Sequence, residues 1–310
     1  MKTAFVFSGQ GAQYPGMTAS LCEKYAPCRR ILEIMDDVLG CAMSERMLHG
    51  TQEELNETRN TQPCVLAADL IANAALRERG VTADAAAGFS LGEYAALTAA
   101  GVFDPETVFA VIRVRAEAMQ EAAPSGTGAM AAIMKQDAET VAALCAEAGG
   151  YVIPVNFNSP AQIVVSGETS AVDSLIAICK ERKIRAVKLP VSAPFHCKYM
   201  DSAAERLSKL FETVRFGDAR IPVYMNVDAQ PETDGGRIRE KLIRQVNSPV
   251  LWEQTVRRMS ADGMTRFVEQ GPGKTLTGFI KRTLEAPVLC SVEDTETLEL
   301  TLNTLNGELV

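Results

Sequence analysis

The sequence AAAGFSLGEYAALTAAG at residues 85–101 predicts a short buried strand, a tight turn and a helix in direct succession. Residues 85–87 are apolar, and residues 93–100 are good helix formers that end at Gly101, a common C-terminal cap. The turn between them reads Gly-x-Ser-x-Gly, in which the two glycines leave room for a sharp bend that exposes the serine hydroxyl. Ser90 is therefore a candidate nucleophile. The alternative is a glycine-rich turn that only caps a helix.

A nucleophilic serine needs a base, and the chain contains two histidines. His49 lies in polar, helix-rich sequence and is interpreted as a surface or C-cap residue. His196 ends the segment PVSAPFH at 190–196, where two prolines disfavour regular structure and a loop would present the imidazole. A lone histidine is usually structural, but an accompanying serine motif makes His196 a candidate base. Cys197 is a weaker nucleophile candidate, because neighbouring side chains of an extended loop point apart.

Arg115 lies on the apolar face of a helix predicted at 104–123. At 3.6 residues per turn it shares one direction with Val108, Val111, Ile112, Met119 and Ala122. Arg115 therefore points inward, and Arg113 points to solvent. A buried guanidinium without a partner costs several kcal/mol, so an anion is expected beside Arg115. That anion is either an internal Asp or Glu or the carboxylate of a substrate.

Six further segments accompany the serine motif in chain order. They are FSGQGAQ at 7–13, TQP at 61–63, NFNSP at 156–160, APFH at 193–196, RQVNSPVLW at 244–252 and EQGPGK at 269–274. Together with GFSLGEYAAL at 88–97 they resemble, from end to end, the malonyl-CoA:acyl carrier protein transacylases of bacterial fatty-acid synthesis. In that resemblance TQP corresponds to a turn, and NFNSP and APFH correspond to loops.

The resemblance implies a catalytic role for five positions. Ser90 would attack the thioester carbonyl, and His196 would take its proton and later activate the incoming thiol. The carbonyl of Gln245 would steady the imidazole. The backbone N–H groups of Gln10 and Leu91 would form the oxyanion hole.

The resemblance also implies substrate contacts. Arg115 would bind the free carboxylate of a malonyl group through its planar fork, with Gln62 lining the site and Met119 beside it. Phe195 would crowd the α-methyl of a methylmalonyl group. Phe89 occupies a position that is often His in the family, which weakens any polar role there.

The residues around this motif predict an α/β fold in two parts. Strands at 128–134, 151–157, 162–166 and 184–189, with helices at 138–148 and 169–182, give the order βαββαβ of a ferredoxin-like unit. Predicted strands at 3–7, 221–227, 265–269 and 288–292 flank this unit, together with the strand and helix at 85–101. They indicate an α/β-hydrolase-like domain with a largely parallel sheet. We expect a catalytic domain of residues 1–125 and 196–310, and an inserted domain of residues 126–195.

Composition limits the remaining possibilities. The chain has 310 residues, of which 47% are hydrophobic and 23% charged, and no run of residues resembles a signal peptide or a membrane span. Its eight cysteines have no CxxC spacing and, with two histidines, predict reduced thiols in the cytoplasm and no metal site. Neither FSGQGAQ nor EQGPGK completes a dinucleotide or P-loop motif. We expect no cofactor, no nucleic acid and no membrane partner; malonyl-CoA is a substrate.

Three functional hypotheses follow. The first is a ping-pong transferase that moves malonyl from malonyl-CoA through Ser90 to the phosphopantetheine thiol of an acyl carrier protein, in fatty-acid or polyketide synthesis. The second is a serine thioesterase or hydrolase, with Asp104, Asp137 or Asp173 as the acid of a triad. The third is a carrier-binding module without catalysis.

An acidic carrier protein would need a local basic surface here, because the chain has a formal net charge of −8. Two basic clusters are candidates: the first comprises Lys180, Arg182, Lys183, Arg185 and Lys188, and the second comprises Lys274, Lys281 and Arg282. The residues chosen for docking are Lys183 and Arg185 in the first and Lys281 and Arg282 in the second. The alternative is that both clusters are ordinary solvated surface.

Overall fold

The computed structural model describes residues 1–123, 126–191 and 193–307. Its strands are β1 (Lys2–Phe7), β2 (Ala85–Gly88), β3 (Gly128–Met134), β4 (Val152–Ser159), β5 (Gln162–Glu168), β6 (Ala186–Lys188), β7 (Val223–Tyr224), β8 (Pro231–Glu232), β9 (Met264–Gln270) and β10 (Val288–Val292).

The α-helices in the first half of the chain are α1 (Ala19–Lys24), α2 (Ala26–Leu39), α3 (Met43–His49), α4 (Gln52–Asn56), α5 (Thr58–Glu78), α6 (Gly92–Ala100), α7 (Pro105–Ala122) and α8 (Ala138–Glu147). Those in the second half are α9 (Thr169–Glu181), α10 (Asp201–Leu210), α11 (Gly235–Gln245), α12 (Trp252–Ala261), α13 (Thr275–Thr283) and α14 (Thr295–Asn306). A short 3₁₀ helix spans Lys198–Met200. Within the described ranges, no helix is both long and apolar enough to cross a membrane.

The larger sheet has the strand order β10-β9-β1-β2-β7-β8. Its neighbouring strands are parallel, except that β8 runs antiparallel to β7 at one edge. The central strands β1 and β2 are buried on both faces, which explains their continuous apolar sequence. Because parallel strands end at the same edge of a sheet, the loops that follow β1, β2 and β9 meet there.

The smaller sheet is antiparallel, with the order β4-β5-β3-β6. Alternate residues of β3 face opposite sides, as the strand period of two requires. Ala129, Ala131 and Ile133 pack with the helices α8 and α9, whereas Met130 and Ala132 belong to the main core of the molecule. The smaller sheet is therefore held to the rest of the chain by an apolar face.

The described elements between residues 128 and 188 match the predicted order of strands and helices, with ends that differ by about two residues. Two segments were wrongly predicted to be irregular. TQP is not a turn: it lies in α5, where Pro63 forgoes one helical hydrogen bond while almost the whole helix is buried. NFNSP is mostly not a loop: residues 156–159 belong to β4, whose register shifts near Asn156 and Ser159 mark irregularities in the strand. The domain boundary predicted between residues 125 and 126 adjoins residues 124–125, which lie outside the described part of the chain.

Candidate active site

The candidate nucleophile lies in the turn between β2 and α6, at the edge where the parallel strands end. Ser90 has a φ of 53°, a left-handed conformation that is uncommon for a residue with a side chain. A Cβ on Gly88 would lie 1.9 Å from the backbone of Gly92, and a Cβ on Gly92 would lie 2.3 Å from the carbonyl oxygen of Phe7. Both glycines are therefore required by close backbone contacts, as the motif predicted.

Asn226 holds this turn from the next strand of the sheet, two residues after β7. Its Oδ1 accepts a hydrogen bond from the Ser90 N–H at 2.7 Å, and its Nδ2 donates to the Gly88 carbonyl at 2.7 Å. The Asn226 N–H in turn donates to Oε2 of the buried Glu93 at 2.6 Å. Sequence analysis missed Asn226. The available signal was a polar residue near the carboxyl end of the strand predicted at 221–227.

His196 faces the serine from the segment after β6. Its Nε2 lies 2.8 Å from Ser90 Oγ, and its Nδ1 lies 3.1 Å from the Gln245 carbonyl and 3.2 Å from the Ser248 carbonyl. Because carbonyls only accept, Nδ1 carries the proton and Nε2 is free to accept the serine proton. The pairing and the Gln245 carbonyl agree with expectation, whereas the Ser248 carbonyl was missed.

Burial keeps this imidazole neutral. It lowers the pKa of His196 to about 4, and the nearby positive charge of Arg115 acts in the same direction. A neutral imidazole at ordinary pH is the form that a general base requires.

The three aspartates considered for a hydrolase triad lie elsewhere. Asp104 and Asp137 cap the N-termini of α7 and α8 through the backbone N–H groups of Thr107 and Thr140. Asp173 pairs with Lys188 on the surface. The two backbone carbonyls occupy the position at Nδ1 where a triad acid would bind.

Arg115 reaches the same site from the inward face of α7 and is 1% exposed. Its Nη1 donates to Gln62 Oε1 at 2.8 Å, and its Nη2 donates to Gln245 Oε1 at 3.1 Å and approaches Ser90 Oγ at 3.3 Å. The guanidinium lies 5.2 Å above the Tyr94 ring, and its Nε has no partner in the described structure. These acceptors are neutral, and among the described residues no carboxylate forms an ion pair with Arg115. The buried Glu93 interacts with it through charge alone.

These groups line a small cavity of about 90 Å³. Among the predicted residues, it is lined by Gln10, Ser90, Leu91, Arg115, Met119, Phe195 and His196. Gln62 does not line the cavity itself but contacts a residue that does, because its Nε2 lies 3.4 Å from the sulfur of Met119. Sequence analysis did not assign the remaining lining residues, which are Phe89, Met130, Asn156, Leu189 and Val191. Phe89 also packs edge-on against Trp252, with ring centres 5.7 Å apart, so its surroundings are apolar.

The four residues chosen for carrier docking are all exposed and lie outside the lining of this cavity. Lys183 and Arg185 follow α9, whereas Lys281 and Arg282 lie in the last turn of α13. Phe279 of α13 contacts Phe89, the neighbour of Ser90, with ring centres 6.3 Å apart. The second cluster is therefore on an element that packs against the nucleophile turn.

An α/β fold with a serine, a neutral imidazole and a buried guanidinium in one cavity defines the class of acyl-group-transferring enzymes. Comparison with known proteins agrees: the acyl transferase domain family matches residues 4–302. The chain is 40% identical over 311 residues to the malonyl CoA-acyl carrier protein transacylase of Bacillus subtilis, covering 99% of this chain and 98% of the relative.

Solved structures agree as well. An acyl carrier protein S-malonyltransferase from Vibrio cholerae is 42% identical with a TM-score of 0.93, covering 97% of this chain and 100% of the other. A malonyl-transacylase solved with a type II polyketide acyl-carrier protein is 39% identical with a TM-score of 0.95, covering 98% of this chain and 100% of the other. The chain belongs to the malonyl-CoA:acyl carrier protein transacylase family.

Proposed function

We propose that this enzyme transfers malonyl groups from malonyl-CoA to the phosphopantetheine thiol of an acyl carrier protein through a malonyl-Ser90 ester. Ser90 Oγ attacks the thioester carbonyl while His196 Nε2 takes its proton. The tetrahedral intermediate then expels coenzyme A, whose sulfur receives that proton. In the second half-reaction His196 takes the proton of the carrier thiol, the thiolate attacks the ester, and Ser90 regains its proton. The reaction requires no cofactor, because malonyl-CoA is itself the acyl donor.

The oxyanion of each tetrahedral intermediate would be stabilised by the backbone N–H groups of Gln10 and Leu91. Both residues line the cavity beside Ser90, and Leu91 directly precedes the first residue of α6. A donor in that position acts mainly on the charge that develops in the transition state.

The proposal that malonyl is the acyl group rests mainly on Arg115. It is a buried guanidinium beside the Ser90 and His196 pair, and its direct partners are neutral amides and a hydroxyl. The free carboxylate of malonyl supplies the missing negative charge, and the planar fork suits it. A simple esterase has no need of such an anchor, and the position at His196 Nδ1 where a hydrolase acid would bind is occupied by carbonyls.

We propose further that the chain comprises an α/β-hydrolase-like domain of residues 1–125 and 196–310, with a ferredoxin-like insertion at 126–195. The strand order β4-β5-β3-β6, with α8 and α9 packed on one face, supports the insertion. The eight free cysteines support a reducing compartment, the cytoplasm.

A competition experiment tests the substrate and the covalent step together. The enzyme is mixed with malonyl-CoA, methylmalonyl-CoA and acetyl-CoA, and the acyl-enzyme is identified by intact mass. We expect malonyl on wild-type protein and no adduct on Ser90→Ala. Arg115→Ala should lose about ten- to a hundredfold of its preference for malonyl over acetyl, since charged hydrogen bonds contribute about 1.5–3 kcal/mol.

Arg113→Ala is the matched control, because Arg113 is an exposed arginine on the same helix. It should keep the wild-type preference. Malonylation of Ser90→Ala would refute the nucleophile. An Arg115→Ala enzyme with unchanged preference for malonyl would refute the anchor.

A further inference from the structure

A buried polar cluster lies behind the loop that contains Gln10, and the mechanism above does not use it. At its centre is Asp69 of α5, which is fully buried. Ser8 Oγ donates to Asp69 Oδ1 at 2.7 Å, while Asp69 Oδ2 has no partner among the described residues. One turn further along α5, Asn73 Nδ2 donates to Gln270 Oε1 at 2.8 Å. The cluster therefore joins α5 to the segments that follow β1 and end β9.

The surroundings of Asp69 favour a neutral carboxyl. No Lys, Arg or His of the described chain lies within ion-pair distance of it, and burial raises its pKa well above the usual range. Glu269 of β9 raises that pKa further through its charge. Both oxygens of Glu269 are bound by the backbone N–H groups of Leu276 and Thr277, so Glu269 is stabilised separately.

Packing around this carboxyl is tight. Gly271, which follows β9, has a φ of +102°, and a Cβ there would lie 1.9 Å from Asp69 Oδ1 and 2.6 Å from Ser8 Oγ. The Ser8–Asp69 pair therefore has little freedom to move toward Gly271.

The other side of the same segment contacts the nucleophile turn. The Phe89 N–H donates to the Phe7 carbonyl at 3.0 Å. A Cβ on Gly9 would lie 2.7 Å from the Phe89 carbonyl, and a Cβ on Gly92 would lie 2.4 Å from the Ser8 carbonyl. The backbone of residues 7–9 is thus held between Asp69 and the turn of Ser90, directly before Gln10.

We propose that Asp69 is a positioning residue for acyl transfer: its carboxyl accepts a hydrogen bond from Ser8 and thereby fixes the backbone N–H of Gln10 relative to Ser90. The inference rests on the oxyanion role of Gln10 in the proposed function. An oxyanion donor acts mainly in the transition state, so its displacement lowers kcat more than it changes KM.

The test compares Asp69→Asn, Asp69→Leu and Ser8→Ala in the full-length enzyme, measuring kcat and KM for malonyl-CoA. Asp69→Asn keeps an uncharged acceptor for Ser8, so its kcat should stay within about threefold of wild type. Asp69→Leu and Ser8→Ala lose the hydrogen bond, so kcat should fall about ten- to a hundredfold. This loss should not exceed the effect of deleting an oxyanion donor. KM should change less than about threefold. Asn73→Leu, which leaves the Ser8–Asp69 bond intact, is the matched control and should keep the wild-type kcat.

The two losses should not add in the double variant Asp69→Leu/Ser8→Ala, because both remove one interaction. An independent readout is stability against pH. A carboxyl whose pKa is raised by folding stabilises the protein below its ordinary pKa of about 4 and loses that effect as the pH rises. Wild-type protein should therefore lose unfolding free energy relative to Asp69→Asn as the pH rises above about 4.

Several outcomes would overturn the inference. A folded Asp69→Leu enzyme with wild-type kcat would do so, as would an Asp69→Asn enzyme as slow as Asp69→Leu, or equal pH dependence of stability in wild type and Asp69→Asn. If Asp69→Leu does not fold, Ser8→Ala gives the same kinetic readout. Failure of wild-type Ser90 to become malonylated would instead refute the proposed function, so the two failures are distinguishable.

Discussion

At the scale of single residues, both members of the proposed catalytic pair have a strained backbone. Ser90 has a φ of 53° and His196 a φ of 60°, in the left-handed region that side chains disfavour. Such strain persists only where surrounding contacts over-determine it. For Ser90 such contacts include the hydrogen bonds of Asn226 with the Ser90 N–H and the Gly88 carbonyl. The imidazole of His196 is held by the carbonyls of Gln245 and Ser248. The cavity thus presents two reactive groups whose positions are fixed before substrate binds.

The same burial predicts an unusual pH dependence for His196. Its pKa is lowered to about 4, so it stays neutral, and able to accept a proton, far below the usual 6.5. The rate of acylation should therefore fall only as the pH drops through about 4. In Arg115→Met the repelling charge is gone, and the pKa of His196 should rise.

With two histidines in the chain, NMR titration of ¹³C-labelled histidine reads this pKa directly, and His49→Asn assigns the signals. A His196 signal that titrates near 6.5 in wild type would contradict the prediction. A pKa unchanged by Arg115→Met would remove Arg115 as a cause.

At the scale of elements, the strand β2, the helix α6 and Asn226, two residues after β7, form one unit around the candidate nucleophile. The side chain of Asn226 bridges the Ser90 N–H and the Gly88 carbonyl across the turn. Asn226→Ala would leave both backbone groups without a partner, at about 1–3 kcal/mol each. We expect a loss of about 2 kcal/mol or more in the free energy of unfolding, measured by urea denaturation, together with slower malonylation of Ser90.

Asn247→Ala is the control for Asn226, because its amide bonds Asp201 in an exposed setting. It should change stability by less than about 0.5 kcal/mol. Unchanged stability of Asn226→Ala would mean that Gly88 and Gly92 alone determine the turn.

At the scale of the whole molecule, the net charge of −8 gives no overall attraction for an acidic carrier protein. Docking of the carrier therefore depends on a local basic surface. The cluster on α13 packs beside the nucleophile turn through Phe279. In the other cluster Arg182 pairs with Glu147 and Lys188 with Asp173, which leaves Lys183 and Arg185 outside those pairs. Reversal of Lys281 and Arg282 to Glu should weaken transfer to the carrier, and added salt should have the same effect. The rate of Ser90 malonylation by malonyl-CoA should change less than about twofold.

The reversal of Lys183 and Arg185 to Glu tests the first cluster in the same assay. A control with the same change in net charge is Lys24→Glu/Arg30→Glu on α1 and α2, which contribute no residue to the catalytic cavity. If the control slows carrier transfer as much as either reversal, overall charge and not local docking governs the rate.

Local patterns in the sequence were enough to predict part of the fold and part of the candidate site. The Gly-x-Ser-x-Gly spacing predicted the turn of Ser90, and the helical period on α7 predicted the inward direction of Arg115, because both depend on neighbours within a few residues. The presence of two histidines, one of them in a proline-rich segment, made His196 a candidate base. Resemblance to a family supported it and added the Gln245 carbonyl. Local patterns did not predict that TQP is helical, because the burial of α5 outweighs the cost of Pro63.

Only the tertiary structure determined which groups meet at the site. Ser90 binds Asn226 across 136 positions of sequence, and Arg115 binds Gln62 across 53 and Gln245 across 130. Asp69 meets Ser8 across 61 positions, inside a core where its charge state depends on every neighbour. Local periodicity in the sequence does not predict these contacts. They arise from the order of the parallel strands in the sheet and from the loops that meet at its edge.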